Sequence, residues 1–259
     1  MQQIVITGLD GSGKSTILKA LLEKNSTEFE ILFIPHFNLQ SIPSSNVIHK
    51  VASFINTLSY TSDKIKEPQL KAIALLSSML LFHKVIELKK GIFNTIFCER
   101  HPLIDAAVYA QFYAHKMNKP CTNQLYIQTI EETFRKELLY LLKLIPKEYI
   151  CENLGLIENL KQFIYTWFYR ESKTSIEQLK HLFKVELPHK IFYLQAQPKV
   201  LFDRIKGRKE LEAHESIEVF EVLDSLYLEL FKRLHQIDIE IIDANFFENL
   251  DSFKEKILY

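Results

Sequence analysis

Gly8-Leu9-Asp10-Gly11-Ser12-Gly13-Lys14-Ser15 is the stretch from which the rest of the chain is read. It satisfies the spacing G-x-x-x-x-G-K-[ST], which carries meaning only between a strand and a helix. Both flanks are present. Gln3 to Thr7 is a short β-branched run, and Lys14 to Lys24 places Ile17, Leu18, Leu21 and Leu22 at helical spacing. The chain has only six glycines, and three of them fall in this loop. Bare backbone is therefore needed there. It lets successive N–H groups turn inward toward phosphate oxygens, with the positive end of the helix beneath them. In such a loop Lys14 bridges the β- and γ-phosphates and Ser15 binds Mg²⁺. The implied ligand is a nucleoside triphosphate, cradled by Gly8, Asp10, Gly11, Ser12, Gly13, Lys14, Ser15 and Thr16. A dinucleotide fingerprint does not fit, because the third glycine position after Gly11 and Gly13 is Thr16.

Working outward, strands alternate with helices. Glu30 to Pro35 reads as a second strand stopped by proline, followed by a polar loop and a helix over Val47 to Leu58. Pro68 suits a helix start and Gly91 the position after its end, predicting one helix over 68–90. Thr95 to Cys98, Lys190 to Leu194 and Glu240 to Ile242 supply three more short strands, with a helical pattern over 198–236 and a last helix over 246–257. This alternation predicts a parallel sheet. The block 117–186 shows no strand, and 157–168 sets Ile157, Leu160, Phe163, Ile164, Trp167 and Phe168 on one helical face.

Composition narrows the classes. The chain has 259 residues, 47% of them hydrophobic, with 32 basic against 32 acidic side chains. That is an ordinary globular balance, which excludes disordered, collagenous and coiled-coil classes. Zero formal charge argues against a duplex-DNA or polybasic membrane partner. The most apolar run, Ala72 to Phe82, is interrupted by Ser77 and Ser78 and falls short of the roughly 20 residues that span a bilayer, so a buried helix is expected. The N-terminal apolar run ends at Gly8 without a basic region before it, so no secretory signal is expected. Cys98, Cys121 and Cys151 are few, odd in number and not at metal spacing, which fits a cytoplasmic, reducing setting.

Two further constellations carry chemistry. Cys98-Glu99-Arg100-His101-Pro102 leaves the carboxyl end of the third strand, the edge where open parallel sheets bind ligands. There Glu99 can hold a metal-bound water or take a proton, and Arg100 can neutralise a transferring phosphoryl group. A plain surface Glu-Arg pair is the competing reading. Arginine is scarce, six residues in all, yet Arg204 and Arg208 lie four apart after the fourth strand. On a helix that spacing puts both on one face, as part of a basic lid over 204–215 that closes over ATP, or as a solvated basic face. The nine histidines show no metal spacing, and the aromatic residues around Trp167 read as core.

Together these features resemble the thymidylate kinase and deoxynucleoside kinase family of P-loop phosphotransferases, over nearly the whole chain outside the helical block. Gly8 to Thr16 is similar to the thymidylate kinase loop, in which the acid matching Asp10 lies near the acceptor sugar. Glu99-Arg100 is similar to the family's Asp/Glu-Arg motif, and Arg100-His101-Pro102 to the herpesviral thymidine kinases. Asp203 to Arg208 resembles the lid, and Ile242-Asp243-Ala244 the strand whose loop borders adenine. The resemblance implies that Arg204 flanks adenine, that Arg208 reaches phosphate, and that Asp105 and Tyr109 bind and stack on the acceptor base. It also implies acceptor contacts from the segment after the second strand. Thymidylate kinases carry Arg-Glu-Pro there and deoxynucleoside kinases a basic Glu, whereas this chain has Pro35-His36-Phe37-Asn38.

The expected fold is three-layer α/β/α of the P-loop NTPase class with a five-stranded parallel sheet, for which the resemblance implies the order 2-3-1-4-5. A single kinase domain spans 1–259, with a helical insertion at 117–186. The expected activity is ATP·Mg²⁺-dependent phosphorylation of a deoxynucleoside monophosphate such as dTMP, since a phosphate acceptor needs no general base. Lys14, Glu99, Arg100, Arg204 and Arg208 carry catalysis, and Ser15 and Glu99 the metal. Ala244 borders the donor, and Asp10, His36, Phe37, Arg100, Asp105 and Tyr109 face the acceptor. The rivals are a deoxynucleoside kinase with Glu99 or His36 as base, and a P-loop regulatory protein without a small acceptor. The partner expected is a small nucleotide or nucleoside rather than nucleic acid or membrane. The related kinases are commonly dimers, which makes a homodimer the implied assembly.

Overall fold

A computed structural model describes residues 1–23, 28–121, 123–208 and 215–258. Its strands are β1 (Gln2–Gly8), β2 (Phe29–Leu32), β3 (Thr95–Cys98), β4 (Lys190–Gln195) and β5 (Asp238–Asp243). The helices are α1 (Lys14–Glu23), α2 (Val47–Ile65), α3 (Pro68–Lys89), α4 (Pro102–Ala114), α5 (Gln124–Thr133), α6 (Arg135–Leu142), α7 (Leu156–Ile164), α8 (Ile176–Phe183), α9 (Pro198–Ile205), α10 (Ile217–Arg233) and α11 (Phe247–Leu258). The chain divides into two compact units. One comprises 1–33, 90–104 and 187–259; the other comprises 34–89 and 105–186.

The first unit holds the whole sheet. All pairings are parallel, as the strand–helix alternation predicts, and the strand order β2-β3-β1-β4-β5 is the one the family resemblance implies. Its layering follows from strand alternation, since neighbouring residues point to opposite faces. Phe192 meets Phe253 of α11, with ring centroids 4.8 Å apart. The next residue, Tyr193, meets Tyr227 of α10 at 5.0 Å and Phe231 at 5.1 Å. Helices α10 and α11 therefore cover opposite faces, with α1 packed beside α11 and α9 beside α10. This is the three-layer arrangement. The carboxyl half of the central strand β1 is enclosed, with Val5, Ile6 and Thr7 all buried.

Because every strand runs the same way, the loops after β1, β3, β4 and β5 leave at one edge. Gly8 pairs with Leu194, which pairs with Ile242, and Gln195 pairs with Asp243. Chain order reverses on either side of β1, and a crevice opens outside its carboxyl end at such a switch point.

The second unit is built from helices and the loops that join them, with no strand among its described residues. It is wider than the 117–186 block, because the segments that follow β2 and the start of α4 also belong to it. Its centre is α3, which packs on α2, α6, α7 and α8. That surrounding explains a run apolar on all sides. The helix is long and apolar enough to cross a membrane by length and composition, yet 83% of that window is buried within the protein. The pattern over 157–168 is realised as α7 followed by a π-helical turn, Tyr165–Arg170. Trp167 and Phe168 are buried there, and Trp167 Nε1 donates to the Lys173 carbonyl at 2.9 Å, so these rings are core.

One expectation about helices fails. The pattern over 198–236 is interrupted: α9 stops at Ile205 and α10 starts at Ile217. Arg208 lies beyond the helix that carries Arg204, so the two do not share a helical face. Gly207 favours a stop at this place, being a poor helix former. Residues 209–214 of the expected lid lie outside the described residues.

Candidate functional site

The loop between β1 and α1 is held in a conformation that only glycine reaches easily. Gly8 has φ +153° and Gly11 φ +85°. A Cβ on Gly8 would lie 2.5 Å from the Leu194 carbonyl oxygen, and one on Gly11 2.8 Å from that of Leu201. Both obstacles are backbone and cannot swing away. Ser12 N donates to Leu9 O at 3.2 Å, and Thr16 N and Ile17 N both reach Gly13 O, so α1 starts directly from the loop.

Two observations show that the loop fits a polyphosphate. Ser12 Oγ is buried without a hydrogen-bond partner among the described residues. A buried hydroxyl in that state is costly unless something completes it. Lys14 is 5% exposed, and its ammonium donates to Leu9 O at 2.9 Å, with Asp10 Oδ1 at 3.8 Å. Asp10 also lies 3.9 Å from Arg100 Nη2. One carboxylate thus sits between two cations of the loop region, where it offers them a negative partner.

A cleft of about 520 Å³ opens over this loop. Lys14 and Ser15 line it from the loop, Glu99 from the end of β3, and Arg204 and Arg208 from α9 and the residues after it. The catalytic residues expected in the donor cleft are brought together in this way, though Arg100 is placed only through its approach to Asp10. The Ser15 hydroxyl and the Glu99 carboxylate are oxygen donors of the kind Mg²⁺ takes alongside substrate phosphates. Among the described residues no group of three His, Cys, Asp or Glu side chains could hold a metal ion.

Arg204 does more than line the cleft. Its Nη1 donates to Gly11 O at 3.2 Å and to Ala244 O at 2.9 Å, and its Nη2 to Asn245 O at 3.0 Å. It ties the phosphate loop to the loop after β5. The clasp continues through Asn245, whose Oδ1 accepts from Gln197 N at 2.8 Å, and through Ala244 N, which donates to Gln195 O at 2.6 Å. Arg208 Nη1 donates to the buried Glu215 carboxylate at 2.7 Å. Asn245 lies in the loop that the resemblance implied beside adenine, whereas the sequence held no signal for the residues of α11 that also line the cleft, Leu250, Asp251 and Lys254. Their helix shows only amphipathic spacing.

The residues expected at the acceptor, apart from Asp10 and Arg100, belong to the second unit. The ring of His36 stacks on Tyr60 at 4.2 Å. Phe37 is buried, and its backbone is held by the Asn56 side chain, which accepts from Phe37 N at 2.9 Å and donates to Phe37 O at 2.8 Å. Asp105 and Tyr109 are both buried on α4. Tyr109 forms part of the wall of a small apolar slot of about 40 Å³, with Leu76, Met79, Ala106 and Phe168 among its neighbours.

His101 closes the β3 edge from inside. It is fully buried; its Nδ1 accepts from Leu103 N at 3.3 Å and its Nε2 stands 3.3 Å from Gln3 Oε1. Burial pushes its pKa down to about 3, so the ring is neutral.

No family model matches the chain, and no curated protein matches it. Among solved structures it is similar to a deoxyadenosine kinase from M. mycoides with bound dATP. The identity is 19%, the alignment covers 99% of this chain and 100% of that one, and the TM-score is 0.48. The same enzyme with bound dCTP is similar at 17% identity, covering 98% of each chain, with a TM-score of 0.46. It is the chain's own strand order and phosphate loop, rather than this distant likeness, that establish its three-layer α/β/α fold of the P-loop class.

Proposed function

We propose that this protein is an ATP-dependent phosphotransferase that hands the γ-phosphoryl group to a small deoxynucleoside acceptor. The observation that carries the reading is the single cleft in which Lys14, Ser15, Glu99, Arg204 and Arg208 surround the phosphate loop. Loop amides and Lys14 would hold the triphosphate, and Ser15 and Glu99 the Mg²⁺ that neutralises charge on it. Arg208 would reach the transferred group, while Arg204 keeps the loop in place.

Glu99 favours a nucleoside as acceptor. A 5′-hydroxyl must lose its proton as its oxygen bonds to phosphorus, and the bond to the β-phosphate oxygen breaks to release ADP. A carboxylate lining the phosphate cleft can take that proton. A monophosphate acceptor such as dTMP is the second reading. Its support is that Pro35-His36-Phe37-Asn38 supplies no carboxylate after β2, and a phosphate acceptor needs no base. Cys98, Cys121 and Cys151 form no disulfide among the described residues, which supports a reducing, cytoplasmic setting.

An ADP-release assay with deoxyadenosine, deoxycytidine, thymidine and dTMP tests both readings. Turnover of a nucleoside, lost in Glu99→Gln, is the expected result. Turnover of dTMP alone would move the assignment to the monophosphate. Binding of ATP without turnover of any acceptor would make the chain a nucleotide-dependent regulator.

A further inference from the structure

We infer that Lys254 of α11 is an additional binding residue for the donor's phosphate chain, and that Asp251 beside it weakens that grip. The inference deepens the proposed function and rests on it. Helix α11 abuts the phosphate loop: a Cβ on Gly13 would lie 2.9 Å from Leu250 Cδ1. Lys254 stands three residues after Asp251 and four after Leu250, spacings that make it a neighbour of each on the helix surface. All three line the same cleft as Lys14, Ser15 and Thr16.

The two lysines of this helix segment behave differently. Lys256 reaches Glu240 Oε1 at 2.6 Å on the edge strand β5, and its side chain is 62% exposed. Lys254 lines the cleft, is 33% exposed, and its pairing with Asp251 spans 3.5 Å. An ammonium on a flexible four-carbon stem is a mobile point charge, able to leave a long ion pair for a phosphate oxygen. The ligand chemistry it fits is the polyphosphate of a magnesium nucleotide, independent of the base. Asp251 places a negative charge on the same wall, so its removal acts in the opposite direction.

Titration calorimetry with magnesium ATP and with magnesium tripolyphosphate on the full chain tests this. Lys254→Ala should weaken both ligands about three- to tenfold, the range for a partly exposed charge contact. Lys254→Arg should restore binding, Asp251→Asn should tighten it, and Lys256→Ala should leave it unchanged. In turnover, Lys254→Ala should raise KM for ATP while kcat holds. The inference is overturned if Lys254→Ala binds like the parent, or if Lys254→Ala and Asp251→Asn shift affinity in the same direction. A parent protein that binds neither ligand would instead overturn the proposed function itself.

Discussion

The Lys14 ammonium donates a hydrogen bond to the carbonyl oxygen of Leu9, 2.9 Å away, so the phosphate loop is closed on its own lysine. A nearly buried cation with a carbonyl at 2.9 Å and a carboxylate at 3.8 Å is placed to exchange such partners for phosphate oxygens. On the proposed function, Lys14→Ala removes the charge that would face the transferred group. Its kcat/KM should fall at least about a hundredfold, as for other losses of preorganised electrostatic stabilisation. Thermal unfolding should change by no more than about 1 kcal/mol. Steady-state kinetics and calorimetric melting check the two halves separately.

Gly11 and Gly207 provide an internal comparison. Gly11 combines φ +85° with a carbonyl 2.8 Å from the place of a Cβ, whereas Gly207 has nothing within 4 Å. Gly11→Ala should destabilise the protein by about 1–3 kcal/mol and abolish magnesium-ATP binding, because the loop amides must move. Gly207→Ala should stay within about 0.5 kcal/mol of the parent. Urea denaturation with and without magnesium ATP reads both effects.

Arg204 joins three backbone carbonyls, on Gly11, Ala244 and Asn245, from two loops. Arg204→Ala should lower stability by about 1–3 kcal/mol, since charged hydrogen bonds to part-buried acceptors are lost. Arg204→Lys should not restore it, because a single ammonium cannot reproduce the planar fork. The KM for ATP should rise in both variants, which separates a loop-positioning role from a merely stabilising one.

His101 gives the protein an acid-side dependence. Its folded pKa of about 3 lies below the ordinary value of 6.5, so between those values the unfolded chain binds the extra proton. Stability is full above about pH 6.5 and falls as pH drops toward 3, by roughly 2 kcal/mol at pH 5. The proton would enter Nδ1, which already faces the Leu103 N–H. Chemical denaturation from pH 4 to 8 should show this slope in the parent and its loss in His101→Asn. An unchanged slope in the variant would assign it to other groups.

Much of this molecule was readable from the chain because local chemistry dictated it. Gly8 to Ser15 determined a strand–loop–helix unit that admits few other conformations, and Thr95 to Cys98 is the strand found in the structure. The β–α alternation then restricted the sheet to parallel pairing. Position along the chain was less informative where two segments meet. Periodicity runs through 198–236, but only the folded chain shows α9 ending at Ile205 and Arg208 turning to Glu215.

What tertiary structure alone decided is which remote residues share the cleft. Arg204 meets Gly11 across 193 positions, and Lys254 and Leu250 come beside Gly13 although their helix carries no motif. Spacing records neighbours within one helix or strand, since its period fixes which side chains align. Contacts between loops depend on how the sheet twists and how its helices seat, and no local run of residues encodes that.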